Sequence, residues 1–286
     1  MKKKLKFIYN NSILFMETVI SIFSVLLFSK FFIRRNLQEL IHKKQNHCYI
    51  ITNGPSLKNV IKEEKERNIF AGQDIFTVNL LYQTTFFHEI KPANHIIADN
   101  AFWDAAWDFR IEGIQSRFKE NLLQVSWDLN LFVPSVGFLI IKKILSVNKK
   151  ITIIPYNHTP VTGYKGISHF LYRNNLGMPR PTNVLNAAIF LALNMGYKKI
   201  YIYGADHSWM KDLFVDEDND ICCYENHFYD DVIEPYKMPK GSLAAGLKGI
   251  VEAFESYRIL DLYAKSINST IINKTKGSYI DVFDRE

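Results

Sequence analysis

Short apolar runs separated by polar segments recur along the chain from residue 47 onwards. Runs of four to six β-branched and aromatic residues are typical of buried strands, and longer runs with apolar residues three or four apart are typical of helices. The predicted strands are residues 48–52, 74–79, 94–100, 122–125, 151–155, 199–203 and 270–272. Helices are predicted from residue 58, from residue 181 or 182, and over residues 132–145 and 243–264.

One stretch, residues 180–206, contains a complete helix–strand–loop unit. Its helix ends at Gly196, a residue suited to the left-handed conformation after a helix. A strand follows and stops at Gly204, with Asp206 and His207 just beyond it. Repetition of this unit predicts an α/β fold with a mostly parallel, Rossmann-like sheet, in a single domain of residues 47–286.

Polar residues follow the predicted strands. Asn53, Asn79 and Asn100 each end a strand, and ligands of parallel sheets bind outside the carboxyl ends of the strands. An Asn amide both donates and accepts hydrogen bonds without charge, which suits recognition of a ribose and a base. Gly54 allows the backbone to approach a ligand closely, and Ser56 is placed to cap the next helix. Each of these residues alone is also an ordinary turn residue.

The N-terminal segment, residues 1–46, is basic and hydrophobic. Residues 11–29 are apolar apart from Glu17 and polar uncharged side chains, and the uncharged part is short for a membrane span of about 20 residues. A membrane anchor, an amphipathic helix in the interface, a signal peptide and a helix docked on its own domain or on a second copy are all open. A signal peptide is disfavoured, because no small-residue cleavage site follows. Residues 34–46 are interpreted as a linker.

The net charge of +6 is concentrated near the N-terminus. This placement favours an anionic membrane surface over nucleic acid as a partner, and no nucleic-acid motif is present. The content of 48% hydrophobic and 22% charged residues indicates a globular chain. The three cysteines form no C-x-x-C pair, which favours a reducing compartment.

Two irregular stretches are predicted, residues 156–180 and 206–242. The second contains an acidic run with Asp216, Asp218 and Asp220, which is similar to the start of a calcium loop but has Ile221 where that loop needs glycine. We interpret it as a solvated acidic loop. The same stretch contains His227, which is either a general base or a histidine packed on aromatic rings.

Ordered motifs over residues 47–278 resemble the bacterial sialyltransferases of glycosyltransferase family 42. That family has Gly-Asn-Gly-Pro-Ser-Leu-Lys after its first strand, later strands that end in Asn, Arg-x-Thr before a small-residue helix, Leu-Gly-Tyr-Lys-Glu-Ile-Tyr, Gly-x-Asp and a downstream Tyr-x-x-His. The corresponding residues here are Thr52–Lys58, Asn79, Asn100, Arg180–Asn183, Met195–Tyr201, Gly204–Asp206, Tyr224 and His227. The same motifs are similar to a broader group that includes flagellin-modifying glycosyltransferases and archaeal pterin diphosphokinases.

The resemblance implies a GT-A-like variant of the Rossmann-like fold and an inverting transfer of a CMP-activated acidic sugar to a glycan or lipid-linked acceptor. His227 would be the general base, and Tyr224 would donate a hydrogen bond to the departing phosphate. The expected nucleotide- and donor-binding residues are Asn53, Gly54, Pro55, Ser56, Asn79, Asn100, Arg180, Thr182, Asn183, Gly204, Asp206, His207 and Ser278. No metal is expected, since a monophosphate leaving group needs less charge neutralisation than a diphosphate. The implied location is the cytoplasmic face of a bacterial inner membrane, and a homo-oligomer is an open possibility.

The chain departs from the family pattern at two places. Asn183 and Val184 stand where the family has Ser-Gly, and His207 and Ser208 stand where it has an aromatic pair that includes a phosphate-binding tyrosine. Trp209 or Tyr224 could compensate. Two other functions stay open: a metal-dependent phosphotransferase that uses Asp216, Asp218 and Asp220, and a non-catalytic membrane-bound partner in polysaccharide assembly.

Overall fold

The computed structural model describes residues 2–33, 37, 45–106, 113–224 and 235–286. The described chain contains a seven-stranded and a three-stranded sheet. The larger sheet consists of β1 (His47–Ile51), β2 (Ile75–Val78), β3 (Asn94–Ile96), β4 (Leu129–Pro134), β5 (Ile151–Tyr156), β6 (Lys199–Tyr203) and β10 (Thr270–Asn273). The smaller, antiparallel sheet consists of β7 (Leu213–Val215), β8 (Ile221–Cys223) and β9 (Tyr236–Lys237).

The described α-helices vary from 6 to 27 residues in length. They are α1 (Lys2–Phe28), α2 (Leu57–Arg67), α3 (Thr85–Ile90), α4 (Ile114–Leu123), α5 (Phe138–Ile144), α6 (Lys165–Arg173), α7 (Val184–Asn194) and α8 (Leu243–Ser266). Short 3-10 turns follow β2 and β3, at Asn79–Gln83 and Asn100–Phe102.

All neighbouring strands of the large sheet are parallel, in the order β10-β6-β1-β2-β3-β4-β5. The predicted α/β class with a mostly parallel sheet is therefore confirmed. The chain leaves β1 in one direction, towards β5, and later returns to place β6 on the other side of β1. The strand order therefore reverses between β1 and β6. An open parallel sheet forms a crevice at its carboxyl edge at such a reversal.

Helix α7 is the central helix of the core, with all but its first residue buried. Its sequence has no charged residue, so it can be surrounded on every side. Asn183 caps its first turn by accepting from the Asn186 amide, and Gly196 follows its end with φ +84°. The predicted end at Gly196 is confirmed, whereas the predicted start at Pro181 or Thr182 is wrong, because the helix begins at Val184, after the Asn183 cap, two or three residues later.

Four other sequence predictions are corrected. The strand predicted at residues 122–125 is not formed, because Leu122 and Leu123 are the last residues of α4 and the chain turns after them. Residues 132–145 divide into the end of β4 and helix α5, with Pro134 at the break. The first irregular stretch contains α6, and the second contains the three-stranded sheet. Local patterns alone did not separate these short elements from loops.

One described helix segment, Lys6–Phe28, is long and apolar enough to cross a membrane, with a mean hydropathy of 1.9. This length and composition are common to membrane anchors and signal sequences. One side of the helix packs on its own chain, and Val25 is part of the same core cluster as α7. The predicted linker lies mostly outside the described residues, and the predicted domain boundary at residue 46 stays a prediction.

Candidate functional site

A cleft of about 330 Å³ opens at the carboxyl edge of the large sheet, beside the loops that follow β1 and β6. Its volume lies at the lower end of the range for small-molecule sites, about 300–1,000 Å³. The loops after β1, β2, β3 and β6, the start of α7 and the end of β8 form its walls. Predicted site residues on these walls are Asn53, Gly54, Pro55, Asn79, Asn183, Gly204, Asp206, His207 and Tyr224. The remaining ones are considered below.

The loops after β1 and β6 pack backbone against backbone. The Gly54 amide donates to the Gly204 carbonyl at 2.9 Å, and the Thr52 amide donates to the Tyr203 carbonyl at 2.9 Å. A Cβ atom at position 54 would overlap the Asp206 carboxylate and the Gly204 carbonyl. Glycine is therefore needed at position 54 for the approach of the β6 loop, a reason that the sequence prediction did not identify.

The Ser56 hydroxyl does not cap α2, so this part of the prediction is wrong. It donates instead to Asp206 Oδ2 at 2.8 Å, and the Ser56 amide points to the same oxygen at 3.2 Å. Asp206, in the loop after the adjacent strand β6, thus holds the turn after β1 in place, and it also lines the cleft. Ser56 itself does not line the cleft.

The three asparagines at the strand ends have different environments. Asn79 has φ +39°, and its side-chain oxygen accepts from the Ala98 amide at 3.2 Å, which ties the β2 loop to the β3 loop. The side-chain oxygen of Asn53 is buried and has no partner within the described part of the chain. Asn100 does not line the cleft, because the chain turns into a 3-10 helix there, and Asp99 occupies that wall instead.

The N-terminus of α7 faces the cleft through Asn183, Val184 and Leu185. A helix N-terminus attracts anions, since its first amides lack intrahelical acceptors and the helix dipole is positive there. Thr182 lies outside this cleft, with its hydroxyl bonded to Asn186 Oδ1 at 2.9 Å, and it lines an adjoining apolar pocket. Arg180 is also outside and forms an ion pair with Glu252 at 3.4 Å. The predicted contact of Arg180 and Thr182 with the cleft is therefore not observed.

Tyr257, on α8, joins two of the site residues behind the cleft wall. Its hydroxyl lies 2.9 Å from Asn183 Nδ2 and 3.1 Å from His207 Nε2. The hydroxyl is fully buried, and burial raises the pKa of Tyr257. Sequence reasoning missed this residue, because a tyrosine on the buried face of an amphipathic helix has the same pattern as any core residue.

His207 is held by this network in a left-handed backbone conformation, with φ +51°. Burial lowers the pKa of His207 to about 3, so its imidazole is neutral at neutral pH. Its Nδ1 atom is buried and without a partner in the described chain. A neutral imidazole beside the cleft can orient a ligand by one hydrogen bond, but it does not supply positive charge for a phosphate.

The predicted catalytic pair is described only in part. Tyr224 lines the cleft and stacks on Phe214 with ring centroids 5.2 Å apart. His227 lies outside the described residues, so its role as general base stays a prediction. Ser278 is buried between two loops, where it accepts from Asn273 and donates to the Ala205 carbonyl, and it does not line the cleft.

The charged side chains on the described cleft wall are all acidic: Asp99, Asp206 and Asp212. Each has an internal donor, respectively the Ala101 amide, Ser56 and the Ser208 hydroxyl. No lysine or arginine lines this wall in the ranges that the structure covers. The positive electrostatic potential on the described wall therefore comes from the N-terminus of α7.

The acidic run of β7–β8 is closed by a lysine from the neighbouring strand. Lys237 Nζ lies 2.8 Å from Asp216, 3.4 Å from Asp218 and 3.3 Å from Asp220. The hydrogen bond from Lys237 holds the pKa of Asp216 below its usual value. Among the described residues, no group of three or more His, Cys, Asp or Glu is arranged to hold a metal. These three carboxylates thus share one ion-pair partner from their own chain.

Comparison with models of known protein families gave no match, and comparison with curated protein sequences gave none either.

Proposed function

We propose that this protein is a glycosyltransferase that takes its sugar from a nucleotide donor, with a CMP-activated acidic sugar as the favoured donor. We also propose that the parallel sheet belongs to a Rossmann-like, GT-A-like fold. In this proposal the transfer is inverting and the acceptor is a glycan or lipid-linked glycan at the cytoplasmic face of a bacterial inner membrane.

The single observation that carries the proposal is the pairing of two polar features in one cleft. A buried, unpartnered acceptor, Asn53 Oδ1, lies after the end of β1, and the first residues of α7, Val184 and Leu185, line the same cleft at a helix N-terminus. A ligand that fits both features has a hydrogen-bond donor at one position and an anion at the other. A nucleoside monophosphate ester has both, through its base or ribose and its phosphate.

The ordered sequence motifs support the same proposal, because Asn53 and Gly54 of one motif and Asp206 of another line one cleft although the two motifs are far apart in the chain. The neutral amide groups of Asn53 and Asn79 would hold the nucleoside, and the α7 amides would hold the phosphate. Tyr224 would donate to the departing phosphate oxygen. His227 would remove the proton from the acceptor hydroxyl, a role worth about 10²–10⁴ in rate.

The first experiment is a thermal-shift panel of CMP, CDP, UDP, GDP and ATP, each with and without Mg²⁺. A ligand that binds only the native state raises the melting temperature by mass action. We expect CMP to stabilise the chain without metal. Asn53→Ala should abolish this shift, and Asn100→Ala is the matched control, since Asn100 lies in the 3-10 turn after β3 and does not line the cleft.

The second experiment measures CMP release from a CMP-activated acidic sugar. His227→Ala should lower turnover by about 10²–10⁴ while the thermal shift with CMP is retained. Unchanged turnover would remove His227 from the mechanism. Equal loss of CMP binding in Asn53→Ala and Asn100→Ala would remove the cleft from the proposal.

A metal-dependent phosphotransferase is the second candidate, and one observation favours it. The described cleft wall carries three carboxylates and no lysine or arginine, which is a charge distribution that suits a nucleotide bound with a divalent cation. Selective stabilisation by ATP with Mg²⁺ would support this candidate over the first. A non-catalytic assembly partner, the remaining alternative, would show no shift with any nucleotide.

A further inference from the structure

Helix α1 has two opposite faces with different environments. Thr18, Ser21 and Val25 are buried against the rest of the chain. Met16, Ile20, Phe23 and Leu27 lie on the opposite side at the spacing i, i+4, i+7 and i+11, and each is more than half exposed. We call these four residues the apolar stripe.

The buried face is held by specific hydrogen bonds to the segment after β5. The Tyr164 hydroxyl donates to the Asn11 carbonyl at 3.1 Å, and the Tyr164 amide donates to Thr18 Oγ1 at 2.8 Å. Ser21 Oγ accepts from the Thr162 amide at 2.9 Å and donates to the Thr162 carbonyl. A Cβ atom at Gly163, which has φ +102°, would overlap Thr18. The contact is therefore closely fitted along its length.

Further contacts extend this attachment beyond the end of the helix. Ser29 Oγ lies 2.8 Å from Thr159 Oγ1, and the Lys30 amide donates to Asn157 Oδ1 at 2.8 Å. The contacts from Asn11 to Ser29 cover about 27 Å at a rise of 1.5 Å per residue. This length is close to the whole hydrocarbon thickness of a bilayer, about 30 Å.

A bilayer-spanning orientation conflicts with these contacts. If α1 crossed the membrane while docked, residues 157–176 would lie at the depth of the hydrocarbon. That segment includes the exposed, charged Lys165 and Arg173 of α6. Charged side chains facing lipid at that depth are strongly unfavourable, so docking and spanning exclude each other.

We infer that α1 lies in the plane of an anionic membrane surface, with the apolar stripe in the lipid and the domain docked on its other side. Burial of four large apolar side chains in lipid supplies the main driving force. The basic residues at both ends of the helix, which include the exposed Lys6 and Lys30, match the charge of anionic headgroups. Phe31 and Phe32, both more than half exposed, continue the apolar surface beyond Phe28.

Flotation of the full chain with lipid vesicles tests this inference. We expect binding to vesicles that contain anionic phosphatidylglycerol, weaker binding to neutral phosphatidylcholine, and a loss of the difference in high salt. Phe23→Glu should weaken binding to the vesicles about tenfold or more, since it removes one aromatic side chain from the lipid and adds a charge. Val251→Glu is the matched control, because Val251 is equally exposed at 60% but lies on α8.

Cysteine labelling distinguishes an in-plane helix from a spanning one. Lys6→Cys and Lys58→Cys would be labelled separately with a membrane-impermeant maleimide in membrane vesicles from cells that express the chain, with the unsubstituted chain as the background. Both positions are exposed in the structure. Labelling of both without detergent is expected, because both lie on the same side of the membrane. Labelling of position 6 only after detergent would overturn the inference.

The oligomeric state tests the other occupant of the stripe, a second copy of the chain. A purified dimer that fails to float with anionic vesicles, and that dissociates in Phe23→Glu, would also overturn the inference. The nucleotide panel does not depend on these results, so failure of one proposal is separable from failure of the other.

Discussion

The cleft at β1 and β6 and the acidic run of β7–β8 are both rich in polar side chains, but their polar atoms are used differently. In the acidic run, Lys237 pairs with all three aspartates, so each carboxylate has an ion-pair partner within the chain. In the cleft, Asn53 Oδ1 is buried without a partner in the described chain. Buried polar atoms are nearly always hydrogen-bonded, so an unpartnered one needs an explanation.

The difference teaches that a concentration of polar residues in sequence is a weak sign of a site. The acidic run has the higher density of carboxylates, yet these carboxylates contact Lys237 of their own chain. The cleft collects residues from distant segments, and its exposed functional groups are fewer. Whether a polar group is satisfied by its own chain is a property of the fold, and it separates the two regions.

The largest effect expected at neutral pH tests how tightly the cleft loops are joined. Gly54→Ala places a Cβ atom into the Asp206 carboxylate and the Gly204 carbonyl, so at least one loop must move. We expect a loss of about 3 kcal/mol in the free energy of unfolding, measured by urea denaturation. Gly249→Ala, on α8 with open space around it, should be neutral or stabilise by up to about 1 kcal/mol. Equal effects of both variants would show that the loop packing is not as tight as described.

The next effect tests the network behind the cleft. Tyr257→Phe removes the hydroxyl that lies beside Asn183 and His207 and leaves buried polar groups unpaired. We expect a loss of about 1–3 kcal/mol in the free energy of unfolding. Tyr236→Phe serves as the control, since Tyr236 is 55% exposed. A Tyr257→Phe variant as stable as its control would mean that this network contributes nothing to stability.

The dependence of stability on pH tests the core beneath the cleft. His95, on β3, is fully buried with Nδ1 2.8 Å from Thr77 Oγ1, and burial lowers its pKa to about 3. The unfolded state therefore takes up a proton first as pH falls below about 6.5. Between about pH 6.5 and 3, this histidine should reduce stability by up to about 1.4 kcal/mol per pH unit. His95→Gln should flatten the pH profile in this window; an unchanged profile would contradict the assignment.

The smallest effect is expected in the acidic run. Asp218 is 82% exposed, and a single exposed ion pair contributes about 0–1 kcal/mol. Asp218→Asn should therefore change the free energy of unfolding by less than about 0.5 kcal/mol, and millimolar Ca²⁺ should leave the melting temperature unchanged. A rise in melting temperature with Ca²⁺ that is lost in Asp218→Asn would contradict this expectation and make the acidic run a calcium site.

Sequence patterns predicted every strand of the large sheet except β4, which overlaps the predicted helix at residues 132–145, and they predicted the edge that carries the cleft. Strand patterns around residues 50, 76 and 201 are local, and the carboxyl ends of parallel strands necessarily share one edge. Pairings between distant residues could not be predicted in this way. Ser56 meets Asp206 across 150 positions, and a local pattern contains no information about that contact.

The placement of single residues at the edge was also beyond sequence reasoning. Asp99 and Asn100 are adjacent and both polar, and which one faces the cleft depends on the 3-10 turn that follows β3. Tyr257 has an ordinary helix-core pattern, although its hydroxyl joins two site residues. The identity of the wall residues thus depends on turns and on long-range packing, which strand and helix patterns do not encode.

The attachment of α1 has a consequence for synthesis of the chain. Ser29 contacts Thr159 across 130 positions, so the helix leaves the ribosome well before its docking surface has been made. At translation rates of about 5–20 residues per second, the interval is roughly 7–26 seconds. During that time the face with Thr18, Ser21 and Val25 lacks its protein contacts, so the whole surface of the helix is exposed. A nearby lipid surface or a chaperone would shield the nascent helix from aggregation.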